Sequence, residues 1–126
     1  MSVSFRRRCV TLTFFILAYY AAMAQAGDET KDVVFRAAVD GTEQRYVMIV
    51  PEGFSKSKTR RALVALHGHG SDRWQCAKNE RPECRAARDV ARENGMLFVS
   101  PDYRAKTSWM GPKAEADVAQ IIAEIR

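Results

Sequence analysis

Two uninterrupted apolar runs, Ala62-Leu63-Val64-Ala65-Leu66 and Met96-Leu97-Phe98-Val99, constrain the fold of this chain more than any other feature. A strand with one solvated face alternates apolar and polar residues. A run without alternation suits a strand buried on both faces, as in a mainly parallel sheet. The segment between the runs has helical signals. Pro82 suits a first helical position, Gly95 a C-terminal cap, and Cys84, Ala87, Val90 and Ala91 fall on one face. Strand, helix, strand in that order make a βαβ unit, and hence an α/β fold.

Upstream the period is two. Val33, Phe35, Ala37 and Val39 alternate with other residues, Asp40-Gly41 signals a turn, and Tyr46, Met48 and Val50 alternate again before Pro51. This predicts an antiparallel hairpin, followed by a charged loop over Lys56 to Arg61. Downstream, Gly111-Pro112 opens a helix in which Ala114, Val118, Ile121, Ile122 and Ile125 recur at helical spacing. No cap or stop signal follows before Arg126, and in a sheet of this type such a helix leads into another buried strand.

The first 26 residues read as an address. Arg6, Arg7 and Arg8 precede an uncharged stretch from Cys9 to Gly27, whose heart, Val10 to Tyr20, is mostly apolar; Ala22-Met23-Ala24 and Ala24-Gln25-Ala26 follow as A-x-A sites. That order predicts a secretory signal peptide over residues 1–26, cleaved after Ala24 or Ala26, and a secreted or periplasmic chain. An uncleaved N-terminal membrane anchor is the alternative, since the stretch reaches the ~18 residues a span needs.

The address also explains the charge. Formal charge is +5, but three of the 20 basic residues are Arg6–Arg8, and the other 17 face 15 acidic ones for a net +2. These are interspersed, so no basic face exists for nucleic acid. The densest group, Lys56, Lys58, Arg60 and Arg61, reads as a solvated turn. With 47% hydrophobic and 28% charged residues and no internal repeat, residues 27–126 read as one globular unit. After cleavage Cys76 and Cys84 remain. In an oxidising compartment they can pair; two free thiols is the other reading. A zinc set with His67 and His69 is disfavoured because C-x-x-C spacing is missing. No cofactor is called for.

Chemistry concentrates in Leu66-His67-Gly68-His69-Gly70-Ser71-Asp72, directly after the first apolar run. A loop with two Gly can aim backbone N–H groups into one spot, as a developing oxyanion requires. It also lies at the C-terminal end of a predicted parallel strand, where open α/β sheets bind ligands. Ser71 reads as a loop hydrogen-bonder, Asp72 as a turn or cap residue, and Asp102 as a structural hydrogen-bonder. Trp74 and Trp109 are candidates to line a substrate cleft. Arg104 and Lys106 read as surface residues, with contact to an anionic substrate as the alternative.

Residues Ala65 to Asp72 resemble the H-G-x-G oxyanion loop of α/β-hydrolase-fold serine hydrolases, and Phe98 to Arg104 resemble the end of that fold's fourth strand. The resemblance spans roughly residues 32 to 126 and is closest to secreted esterases and prolyl-oligopeptidase-type peptidases. It implies that the His69 N–H is one oxyanion donor, that Gly68 and Gly70 shape the loop, and that His67 orients it. It also implies a nucleophile in a G-x-S-x-G elbow after the next strand, then an acid and a His. No G-x-S-x-G occurs in the 126 residues. His67 and His69 precede the place of the Ser, which is the wrong order for a general base, and Ser71 and Ser100 are poor nucleophiles.

The expectation is therefore the N-terminal portion of a secreted serine hydrolase, acting on a small ester or peptide when complete and inactive alone. A short secreted binding module derived from the same fold is the alternative.

Overall fold

In the computed structural model, residues 27–54, 61–104 and 109–126 are described. The segment 1–26 expected to be a signal peptide or anchor, the basic group at Lys56, Lys58 and Arg60, and Lys106 lie outside the described residues.

Glu29–Arg36 (β1) and Glu43–Val50 (β2) form the expected hairpin, paired antiparallel from Glu29↔Val50 to Arg36↔Glu43. The turn closes on Gly41, whose φ of 72° is left-handed backbone that side chains rarely adopt. Asp40 accepts from both the Thr42 N–H and hydroxyl at 3.2 and 2.7 Å. Val39 belongs to this turn, not to the strand, and is exposed.

The two apolar runs become Ala62–Val64 (β3) and Leu97–Pro101 (β4), parallel neighbours joined through the helix Pro82–Glu93 (α2). A five-residue helix, Trp74–Lys78 (α1), precedes α2, and Pro112–Glu124 (α3) follows β4. Sheet order among the described residues is β1-β2-β4-β3, with β2 and β4 antiparallel.

β4 is the strand buried on both faces, as its unbroken apolar run predicts. Leu97 and Val99 turn to one side, where they form a core with Tyr46 and Ile121 of α3. Phe98 turns to the other, beside Ile49, Ala77 and Met96. The helices thus cover opposite faces, because alternate residues of a strand point oppositely.

The run Ala62 to Leu66 departs from expectation. β3 has β4 as its one neighbour among the described residues, and it is exposed to half-buried, with Leu66 45% exposed. An apolar run reports what a strand is suited to bury; here Val64 packs on the edge of the core and lines a groove of about 180 Å³ shared with Ile122 and Ile125. The helix faces also shift. On α2 Cys84 and Ala91 are buried and Val90 is exposed, while the buried stripe of α3 is Ala114, Asp117 and Ile121. Among the described residues no helix is long and apolar enough to cross a membrane.

Candidate functional site

The loop after β3 is held from three directions. His67 is buried, its Nδ1 2.9 Å from the Gly68 carbonyl and its Nε2 3.1 Å from the Asp102 carbonyl. Its ring stacks on Tyr103 at 4.3 Å, and the Tyr103 hydroxyl donates to the His67 carbonyl. Burial pushes the Tyr103 phenol above its ordinary range, so it stays a donor. His67 therefore works as a spacer between the loop and the end of β4; neither ring nitrogen points at a hydroxyl.

The second anchor is Arg73, at the N-terminus of α1. Its guanidinium forks onto both oxygens of Asp32 in β1 at 2.8 and 2.9 Å and reaches Asp102 at 2.9 Å; its N–H gives a fourth bond to Asp102 at 2.8 Å. Asp102 is thus a structural hydrogen-bonder, tying β4 to α1. Hydrogen bonding from Arg73 holds the Asp32 carboxyl below the usual range, and Asp32 in turn raises the guanidinium.

The third is Gln75, whose Oε1 accepts from the Gly68 N–H at 2.8 Å. The next amide along, His69 N–H, has no acceptor among the described residues. Gly70 turns the chain with a φ of 80°. Gly68 does not need that freedom: a Cβ there would meet only Gln75, at 3.7 Å. Of the two glycines, Gly70 alone shapes this loop by backbone conformation.

Trp109 lies over this loop, its indole stacked on His69 with centroids 5.4 Å apart and 83% exposed. Trp74 is elsewhere engaged: the ammonium of Lys78 sits 3.9 Å from its ring centroid and the Arg73 guanidinium 5.5 Å. The structure brings together His67, Gly68, His69, Gly70 and Trp109, and leaves Trp74 with the cations of α1. Cys76 and Cys84 lie with sulfurs 2.8 Å apart between α1 and α2. Among the described residues no three His, Cys, Asp or Glu side chains are grouped to hold a metal ion. Ser100 is fully buried in β4, and its hydroxyl has no hydrogen-bond partner among the described residues.

Arg104 is neither a solvated surface residue nor free to meet substrate. Its guanidinium spans Asp117 at 2.6 and 2.9 Å and Asp40 at 2.7 and 3.2 Å. Its backbone and that of Tyr103 have φ of 76° and 28°, strained for residues with side chains. The side-chain anchors of both residues hold that turn at the end of β4.

No protein-family model matches the chain, and no curated protein matches its sequence. Solved structures do match. An S-formylglutathione hydrolase from Staphylococcus aureus superposes with a TM-score of 0.55 at 18% identity, over 80% of this chain and 42% of that one. A fluorophosphonate-binding serine hydrolase of the same organism gives 0.56 at 17%, over 79% and 41%. A ferulic acid esterase from Anaeromyces mucronatus gives 0.55 at 17%, over 81% and 44%. The chain has an α/β-hydrolase fold. It spans about two-fifths of the length of these hydrolases.

Within the hydrolase fold, sequence reasoning found the loop and missed what holds it. Arg73, Gln75 and Tyr103 carry no spacing signal. Asp117 did: an acid three residues after Ala114 and four before Ile121 lies on the apolar face and demands a cation.

Proposed function

We propose that this chain supplies the oxyanion side of an exported serine esterase. The observation that carries the reading is the His69 N–H: among the described residues it has no acceptor, and it follows His67 and Gly68, which are both tied down, at the C-terminal end of a parallel strand. A preorganised donor costs nothing to orient when charge develops. In acyl transfer, a serine Oγ adds to the ester carbonyl, a His takes its proton, and the carbonyl oxygen becomes an alkoxide that the His69 N–H receives. The serine, its acid and its His belong to sequence outside these 126 residues, as does the second donor.

Ester rather than peptide hydrolysis is favoured because the similar structures include ferulic acid esterases, one of them solved with ferulic acid bound. The exposed Trp109 indole beside His69 would line the cleft. Export by the residue 1–26 signal, with cleavage after Ala24 or Ala26, is part of the proposal.

The test is a fluorophosphonate probe and a p-nitrophenyl acyl ester. The 126-residue chain should give neither label nor turnover. A polypeptide whose reading frame continues through a G-x-S-x-G should give both, and His69→Pro, which deletes the N–H, should lower its kcat roughly 10²–10³-fold. Labelling of any Ser within the 126 residues overturns the assignment. Silence in both forms, from cooperatively folding chains, favours the binding module.

A further inference from the structure

The Cys76 and Cys84 sulfurs lie 2.8 Å apart, with Cys84 only 1% exposed. The pair joins two unequal partners. α2 is a twelve-residue helix with Cys84 and Ala91 buried, whereas α1 has five residues and buries none. A helix of one turn and a half is not stable by itself. Yet α1 carries Gln75, the side chain that accepts the Gly68 N–H. Arg88 of α2 already grips the end of α1, donating to the Cys76 carbonyl at 2.6 Å and the Asn79 carbonyl at 2.8 Å. The sulfurs are thus brought together by a turn whose backbone is held on both sides.

We propose that Cys76 and Cys84 form a disulfide that staples α1 to α2 and so keeps Gln75 on the Gly68 N–H, fixing the loop that presents His69. The oxidant is a disulfide of the glutathione class. One cysteine thiolate attacks it, forming a mixed disulfide and releasing one glutathione thiolate; the second cysteine attacks the mixed disulfide and releases the other. Two S–H bonds are lost and one S–S bond is made. The two electrons and two protons leave as two reduced glutathiones. The staple is a property of the described chain, and only its consequence for catalysis rests on the esterase reading.

The experiment uses the full chain, equilibrated with oxidised glutathione, denatured, alkylated without reduction and digested with trypsin. The expected product is residues 74–78 linked to residues 79–85, collapsing to two free peptides on reduction. Alkylation of both Cys76 and Cys84 in the unreduced sample overturns the proposal. Hydrogen exchange at the Gly68 amide then tests the strap without any substrate: chemical reduction should speed exchange at least tenfold. A bridge that forms while Gly68 exchange stays unchanged overturns the link to the loop. Neither readout depends on esterase activity, so failure here is separable from failure of the functional proposal.

Discussion

Arg104→Met should be among the most destabilising single changes in this chain. The guanidinium stands between Asp117, whose side chain is 2% exposed, and Asp40, whose side chain is 17% exposed. Asp40 keeps other partners without it, the Lys113 ammonium at 3.1 Å and the Thr42 hydroxyl at 2.7 Å. Asp117 is left with a buried charge and no counterion among the described residues, a situation that costs about 3–5 kcal/mol. With a urea slope of about 2 kcal/mol/M, the midpoint should fall by about 1.5–2.5 M. Two controls isolate the cause. Arg104→Gly loses the same ion pair but also relieves the left-handed backbone, so it should be less harmful by about 1 kcal/mol. Adding Asp117→Asn to Arg104→Met removes the stranded charge and should recover part of the loss. Urea unfolding followed by circular dichroism on the parent, these three variants and Asp40→Ala decides it. If the double variant is no more stable than Arg104→Met, or if Asp40→Ala costs as much, the stranded-charge reasoning is wrong.

Gly70→Ala should cost about 1 kcal/mol, because φ is 80° there, while Gly68→Ala should stay within about 0.5 kcal/mol of the parent; thermal midpoints of the two variants measure the contrast. The Asp40, Asp32 and Asp28 carboxyls are held below their ordinary value by Arg104, Arg73 and Arg92 respectively. Their folded-state values lie below their unfolded ones, so this stability is present above about pH 4 and lost as pH falls through the folded values. Melting temperature from pH 6 to pH 2 should drop accordingly, and less steeply in Arg104→Met. In the reduced chain, burial, then the hydrogen bond with Cys84 and the charge interaction with it, push the Cys76 thiol up to about 12; Arg88 opposes this and Glu83 adds to it. A raised folded value favours the protonated thiol, so stability is full below the unfolded value near 9 and falls as pH rises toward 12. Oxidised chain has no such titration, and alkaline melting curves of the two forms should diverge above pH 9.

Much of the fold is legible in the sequence because its elements obey local periods. The hairpin follows from alternation and Asp40-Gly41, α2 from Pro82 and Gly95, and β4 from a run that is buried on both faces. β3 misleads for an equally physical reason. Apolarity states a preference, and burial depends on what else is near; Leu66 remains exposed. At the site, the loop is visible as two glycines after a strand, although only Gly70 requires its glycine for backbone reasons. Its supports are invisible because Arg73 and Tyr103 act over long separations, Gln75 seven residues from Gly68 carries no pattern that marks it as an acceptor, and nothing local distinguishes an anchoring arginine from a solvated one. Arg104 shows the same limit, since its partners Asp40 and Asp117 lie 64 and 13 residues away.

Those separations also set an order of events during folding. Tyr103 reaches His67 across 36 residues, Asp102 reaches Arg73 across 29, and Arg73 reaches Asp32 across 41. Contacts of such span form only after the chain between them has closed, at an entropic cost that grows with loop length. The His67–Gly70 segment therefore emerges during synthesis well before the residues that give it shape, and it acquires its geometry only when β4 docks between β2 and β3. A nascent chain that has not yet made residues 97–104 holds the glycines but not the donor array. Slowing the docking of β4 should delay the loop's ordering by the same factor, while the β1–β2 hairpin, whose contacts are local, forms first.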